Sequence, residues 1–159
     1  MKTTVRVTRD EVQNIIANIE AMTGKRVLIG IPGENAGRKD GPISNAALGY
    51  IHENGSPARN IPARPFLVPG VQEVAPKAVE TLEKFAAKGL EDPSAVDKGL
   101  NAAGLMAQAA VKNRIRNSVG FAPLSEATLA ERKRTGKQGT KPLIRTGQLL
   151  NSITYVVRG

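Results

Sequence analysis

The sequence predicts an α+β fold: a small, mainly antiparallel sheet packed against several helices, one of them long. Three observations lead there. Residues 3–8, 26–31 and 152–157 are short runs of strand composition, and the first alternates Val5 and Val7 with polar neighbours. Apolar residues recur at helical spacing over residues 10–22, 71–87 and 95–117. The opening therefore reads strand, helix, strand, with one helix packed on a sheet face and the last strand returning to that sheet. The pattern leaves the pairing direction of the first two strands open.

Each element has its own signals. Thr8 or Asp10 can cap the first helix, whose apolar face is Val12, Ile15, Ile16, Ile19 and Met22, and Gly24 fits a left-handed helix end. After the strand at 26–31, the glycine-rich polar stretch 33–42 is a loop. A short helix over residues 43–53 buries Ala46, Ala47, Tyr50 and Ile51, and Asn54-Gly55 ends it. Residues 55–65 hold three prolines, which predicts an extended, stiffened connector with Phe66, Leu67 and Val68 as its apolar anchor. Asp92-Pro93-Ser94 caps the long helix, with Leu100, Ala103, Ala107, Ala110, Val111 and Ile115 inward. Its many small residues admit a close neighbour, either the helix at 71–87 or another subunit. Ser125 caps a helix running to Arg134 with Leu129 inward, and Thr146 caps one more turn containing Leu149 and Leu150.

The 159 residues suit a single domain, 1–159, which should bury roughly 70% of its unfolded-chain surface. The core must be mostly aliphatic, because aromatics make up only 3% of the chain. No cysteine is present, which excludes disulfides, thiolate metal sites and a cysteine nucleophile. No run of about 18 apolar residues suggests a membrane span, and the N-terminus lacks an apolar signal core.

Charge is unevenly placed. Residues 1–97 carry 12 basic and 12 acidic side chains, whereas residues 98–159 carry 11 and 2, so the whole net charge of +9 lies in that second part. Such an excess fits contact with DNA or an acidic protein surface, and equally a solvated basic face. Phe121 and Tyr155 are the only aromatics there, which argues against single-strand readout.

The catalytic inventory is poor. His52 is the only histidine, so a two-histidine metal site is excluded, and beside Glu53 and Asn54 it reads as structural more readily than as catalytic. Thr23-Gly24-Lys25 and Thr135-Gly136-Lys137 lack the Ser or Thr that a phosphate loop requires. The acidic pairs Asp10-Glu11 and Glu91-Asp92 stand at helix starts, where they complement the helix dipole. The expectation is a protein without enzymatic activity or cofactor.

Four blocks occur in order: Tyr50-Ile-His-Glu-Asn-Gly55; Ile61-Pro-Ala-Arg-Pro-Phe-Leu67; Pro123-Leu-Ser-Glu-Ala-Thr-Leu129; and Lys141-Pro-Leu-Ile-Arg-Thr-Gly-Gln-Leu-Leu-Asn-Ser-Ile153. Together they resemble the tail-completion, or neck, proteins of long-tailed bacteriophages, also called virion morphogenesis proteins. The resemblance implies an α+β structural virion component, made in the bacterial cytoplasm and placed at the head–tail junction. It implies a homo-oligomeric ring, hexameric or twelve-fold, whose partners are head-completion or adaptor proteins and tail tube or terminator proteins. DNA would pass through its lumen, and no membrane is involved.

Within these blocks Pro65 fixes the connector, Phe66 and Leu67 anchor it, and Arg64 faces a partner or an acid. Thr146-Gly147 forms a capped turn that delivers Leu149 to the core. Arg145 stands where the family often carries an acid. The basic residues Arg132, Lys133, Arg134, Lys137 and Lys141 are the candidates for partner contact, on a loop at 130–141 that, like 33–42, is expected to be mobile in the free subunit. The alternative is a nonspecific DNA-binding protein that uses the basic C-terminal part.

Overall fold

The computed structural model describes residues 11–39, 41–136 and 139–159. The strand expected at 3–8, the residues Thr8 and Asp10 expected to cap the first helix, and Lys137 lie outside them. Among the described residues six α-helices and a two-stranded antiparallel sheet form an α+β fold. The helices are α1 (Val12–Thr23), α2 (Asn45–Asn54), α3 (Leu67–Gly89), α4 (Pro93–Asn117), α5 (Glu126–Arg134) and α6 (Gln148–Ser152); the strands are β1 (Arg26–Gly30) and β2 (Thr154–Arg158). The register sets Arg26 opposite Arg158 and Leu28 opposite Val156. The C-terminal strand thus returns to the sheet as its composition predicts.

The central unit is the helical hairpin α3–α4. Asp92 opens α4 by accepting from the Ser94 N–H at 2.9 Å, and Pro93 occupies the first helical position, where no N–H bond is needed. The inward stripe of α4 includes Leu100, Ala103, Ala107, Val111 and Ile115, as expected. Its small residues are used twice. On one side Gly70 of α3 lies directly on the Val111 backbone; on the other, Gly104 receives the ring of Tyr155 from β2. Tyr155 Oη then donates to Asn101 Oδ1 at 3.0 Å, which satisfies the hydroxyl at the edge of the packed face. The core proper is Phe66, Val111, Ile115 and Ile153, the last three fully buried. Each contributes on the order of 2 kcal/mol of burial.

α3 begins at Leu67, four residues before the expected Val71, because its cap comes from another helix. The Glu53 carboxylate, at the end of α2, accepts three main-chain N–H groups: Phe66 (2.7 Å) and Leu67 (2.8 Å) on Oε2, and Val68 (2.9 Å) on Oε1. These are donors that a helix start leaves without partners, and the negative charge also complements the helix dipole. Pro69 follows within the first turn, where its missing N–H costs nothing.

Four local expectations are corrected. Gly24 sits at φ −76°, not in the left-handed region: Lys25 N donates to Met22 O at 3.2 Å and the chain runs directly into β1, so no reversal is needed. In α2 the inward face is Asn45, Leu48, Gly49 and His52, while Tyr50 is 72% exposed. Asn45 can be buried because its side chain donates to Gly37 O at 2.9 Å and its main chain to Ala36 O at 2.8 Å. Gly49 leaves room for Ile31, Phe66 and Leu149. The connector after Gly55 is not extended throughout. A 3-10 turn (Pro57–Arg59), the left-handed Asn60 (φ 51°) and a bridge between Ser56 and Ile61 fold it back before residues 62–66 straighten. Finally, Gly147 (φ 75°), not Thr146, stands at the start of α6, because the chain enters that turn through a left-handed residue.

Substituting Gly70 by Ala tests the hairpin. At an exposed helical site the change stabilises by up to about 1 kcal/mol. Here the new Cβ would lie 2.9 Å from Val111 Cα, which is backbone and cannot step aside. The expected outcome in urea denaturation is a net loss of about 1–2 kcal/mol; a gain would contradict the close approach.

Candidate binding site: a basic cleft beside the second helix

Two arginines build one wall of a cleft by bonding main-chain carbonyls. Arg64 is buried, with Nε donating to Ala122 O at 2.8 Å and Nη2 to Pro123 O at 2.9 Å. Its own main-chain N donates to His52 O at 2.6 Å, so one residue ties the end of α2 to the segment before α5. Arg132, only 7% exposed, aims Nη1 at the carbonyls of Gly139, Lys141 (3.0 Å) and Ile144 (3.3 Å). Leu143 adopts φ +62° in that same stretch, a conformation a bulky residue takes only where surroundings hold it. Arg132 Nε is buried and has no hydrogen-bond partner.

Beside this wall lies a cavity of about 870 Å³. Arg38, Arg64, Arg132 and Arg145 line it together with His52, and no carboxylate is among the described lining residues. Glu53, next to His52 in sequence, is turned away onto the start of α3. Ser125 and Thr128 add hydroxyls at the rim. Arg38 Nη1 reaches Asn45 Oδ1 at 3.5 Å, and Arg145 is exposed.

The concentration of positive charge is visible in the titrating groups. His52 is lowered to about 4, first by its burial and then by Arg64 and Arg38; its Nδ1 is buried without a hydrogen-bond partner. Burial also lowers Arg64, and burial with the nearby Arg145 charge lowers Arg132.

Of the residues expected to contact a partner, Arg64 meets neither an acid nor open solvent, and Arg132 belongs to α5 with its guanidinium turned inward. Lys133 is exposed. Arg134 is exposed and forks onto Glu131 with two bonds of 2.9 Å. Lys141 Nζ donates to Arg116 O at 2.7 Å, tying the loop to the end of α4. Among the motif residues Phe66 and Leu149 are buried, Pro65 and Leu67 are partly buried, and Thr146 and Gly147 line the cleft. Arg38 and His52 were not expected there. Arg64 and Arg132, expected at a partner contact, and the motif residues Thr146, Gly147 and Leu149 do line the cleft, as does Arg145.

Among the described residues no group of His, Asp and Glu is placed to hold a metal ion, and no helix is long and apolar enough to cross a membrane. Compared with protein-family models, curated proteins and solved structures, the chain has no match.

The low pKa of His52 has a consequence for stability. The unfolded chain binds a proton near pH 6.5, whereas the folded chain resists it until about pH 4. Between those values the unfolded state holds more protons, so stability is full above pH 6.5 and falls as pH drops toward 4. With allowance for solvent screening, the loss attributable to His52 is about 2 kcal/mol. Urea denaturation of the wild type and of His52→Gln at pH 4.5 and 7.5 should show the variant losing less by about that amount. Equal losses would contradict the assignment.

Proposed function

We propose that this chain is a structural virion protein that forms a ring at the head–tail junction of a bacteriophage and acts by assembly rather than by catalysis. One observation carries the reading: the four sequence blocks that resemble neck proteins form one contiguous unit. Glu53 of the first block caps the helix that the second block opens. Arg64 of the second block bonds the carbonyl of Pro123 in the third. Ile153, which ends the fourth block, packs with Phe66 of the second. Blocks separated by up to about a hundred residues thus depend on one another physically, so the pattern that carries the resemblance is also one structural unit.

Two surface features agree with an assembly role. Ile15, Ile16 and Ile19 form a stripe on α1 that is 39–44% exposed among the described residues, and contiguous exposed apolar surface marks interaction sites. The net positive charge of residues 98–159 gives the subunit a basic part suited to an acidic neighbour or to DNA in a lumen. A stable ring contact would bury about 800 Å² per partner.

Disrupting the gene in the phage or prophage that carries it should yield DNA-filled heads and separate tails that do not join. Replacing the exposed Lys133 by Glu should leave the fold intact and lower the yield of joined particles at least tenfold. Normal virions from the disrupted gene would contradict the reading. The charge asymmetry also favours a second reading, nonspecific DNA binding. Its mark is duplex binding that weakens steeply with salt, combined with undisturbed head–tail joining.

A further inference from the structure

We propose that the cleft between α2 and the segment 122–149 binds an extended acidic segment of a partner protein, with the exposed Arg145 receiving its carboxylates and Arg64 and Arg132 shaping the wall behind it. The proposal concerns the cleft itself and does not depend on the ring reading.

Four guanidinium groups line the cleft with no carboxylate among the described lining residues, and its volume is that of a ligand site rather than of a packing gap. Arg132 supplies an independent sign. It is more than nine-tenths buried, all of its bonds run from Nη1 to carbonyls, and its Nε is buried with nothing to bond. A buried donor of this kind is costly to leave unmade. Converging arginines recognise carboxylates through paired N–H donors in a fixed fork, which an ammonium group cannot reproduce.

The recess favours a peptide over nucleic acid. A duplex carries its phosphates on the outside of a stiff rod, whereas two of these guanidiniums lie buried in the cleft wall. Single strands bind by stacking bases on aromatic rings, and no Phe, Tyr or Trp is among the described lining residues. The lining instead supplies Ile61, Leu124 and Leu143 beside the charges, which suits a chain that alternates acidic and apolar side chains.

His52 is the reporter. It is the only histidine, so its imidazole gives a single, assignable proton NMR signal. The charged groups around it are Arg38 and Arg64, with Arg132 and Arg145 across the cleft. The probe is an acetylated and amidated hexa-aspartate peptide, added to saturation to the full chain at low salt, with the His52 signal followed from about pH 3.5 to 7 with and without it, a range that spans its folded and unfolded values. Carboxylates entering the cleft should raise the His52 pKa by about one unit or more. Arg145→Glu, an exposed position, should weaken peptide binding at least tenfold, whereas Arg158→Glu at the end of β2 should change it less than twofold.

An unchanged His52 pKa at saturating peptide would overturn the proposal, as would equal binding by Arg145→Glu. A 20-base-pair duplex that produces the same His52 shift and displaces the peptide would overturn it in favour of nucleic acid. The same shift on concentrating the protein alone would make a second copy the occupant and overturn it too.

Discussion

Glu53 closes the first turn of α3 from outside that helix, and much of the remaining structure follows from this contact. Phe66 must reach the core between Val111, Ile115 and Ile153, which brings the start of α3 into a partly buried position. There the orphan N–H groups need partners. One carboxylate receives three of them. Because Glu53 ends α2, the same bonds fix α2 against the hairpin, and the chain between them has to fold back. That return places the Arg64 main chain beside His52 and its guanidinium beside Ala122 and Pro123. The fixed wall made in this way is one side of the basic cleft.

The fold class was legible because its evidence is periodic and local. The stripe of α4, the caps at Asp92 and Ser125 and the returning strand all follow from patterns a few residues long; the apolar face of α1 does not pack on the sheet, where α4 lies instead, and Val12, Ile15, Ile16 and Ile19 stay exposed among the described residues. What escaped depends on pairs far apart in the chain. The inward face of α2 is not legible locally because Asn45 and Gly49 look like poor core residues until the carbonyl of Gly37 and the ring of Phe66 stand opposite them. The start of α3 lies upstream of its local signals because its cap is supplied from the previous helix, so no local capping residue announces it. In the connector, prolines suit extended chain, but Pro57 suits the start of a turn equally well and Asn60 tolerates the reversal.

The candidate site was less legible for a related reason. Sequence counting places all the excess charge in residues 98–159, and so draws attention to the basic stretch around Arg132–Lys141. The structure takes Arg132 inside to organise that stretch and brings Arg38, Arg64 and His52 to it from the neutral part of the chain. A charge count along the sequence cannot register a cluster assembled across it. The result is a division of labour among arginines of one type. Arg64 and Arg132 hold carbonyls and shape the wall, while Arg145 keeps its charge at the surface and Arg38 lies partly buried beside it.

The central claim is that the Glu53 carboxylate couples α2, α3 and the segment before α5 into one unit. Residue-resolved hydrogen exchange of the wild type and of Glu53→Gln tests it most directly, since the amide keeps the shape and removes the charge. The account predicts lost protection at the amides of Phe66, Leu67 and Val68, and with it lower protection at Arg64 and in the first turn of α5, while the middle of α4 keeps its protection. Loss confined to residues 66–68, or no loss at all, would contradict it.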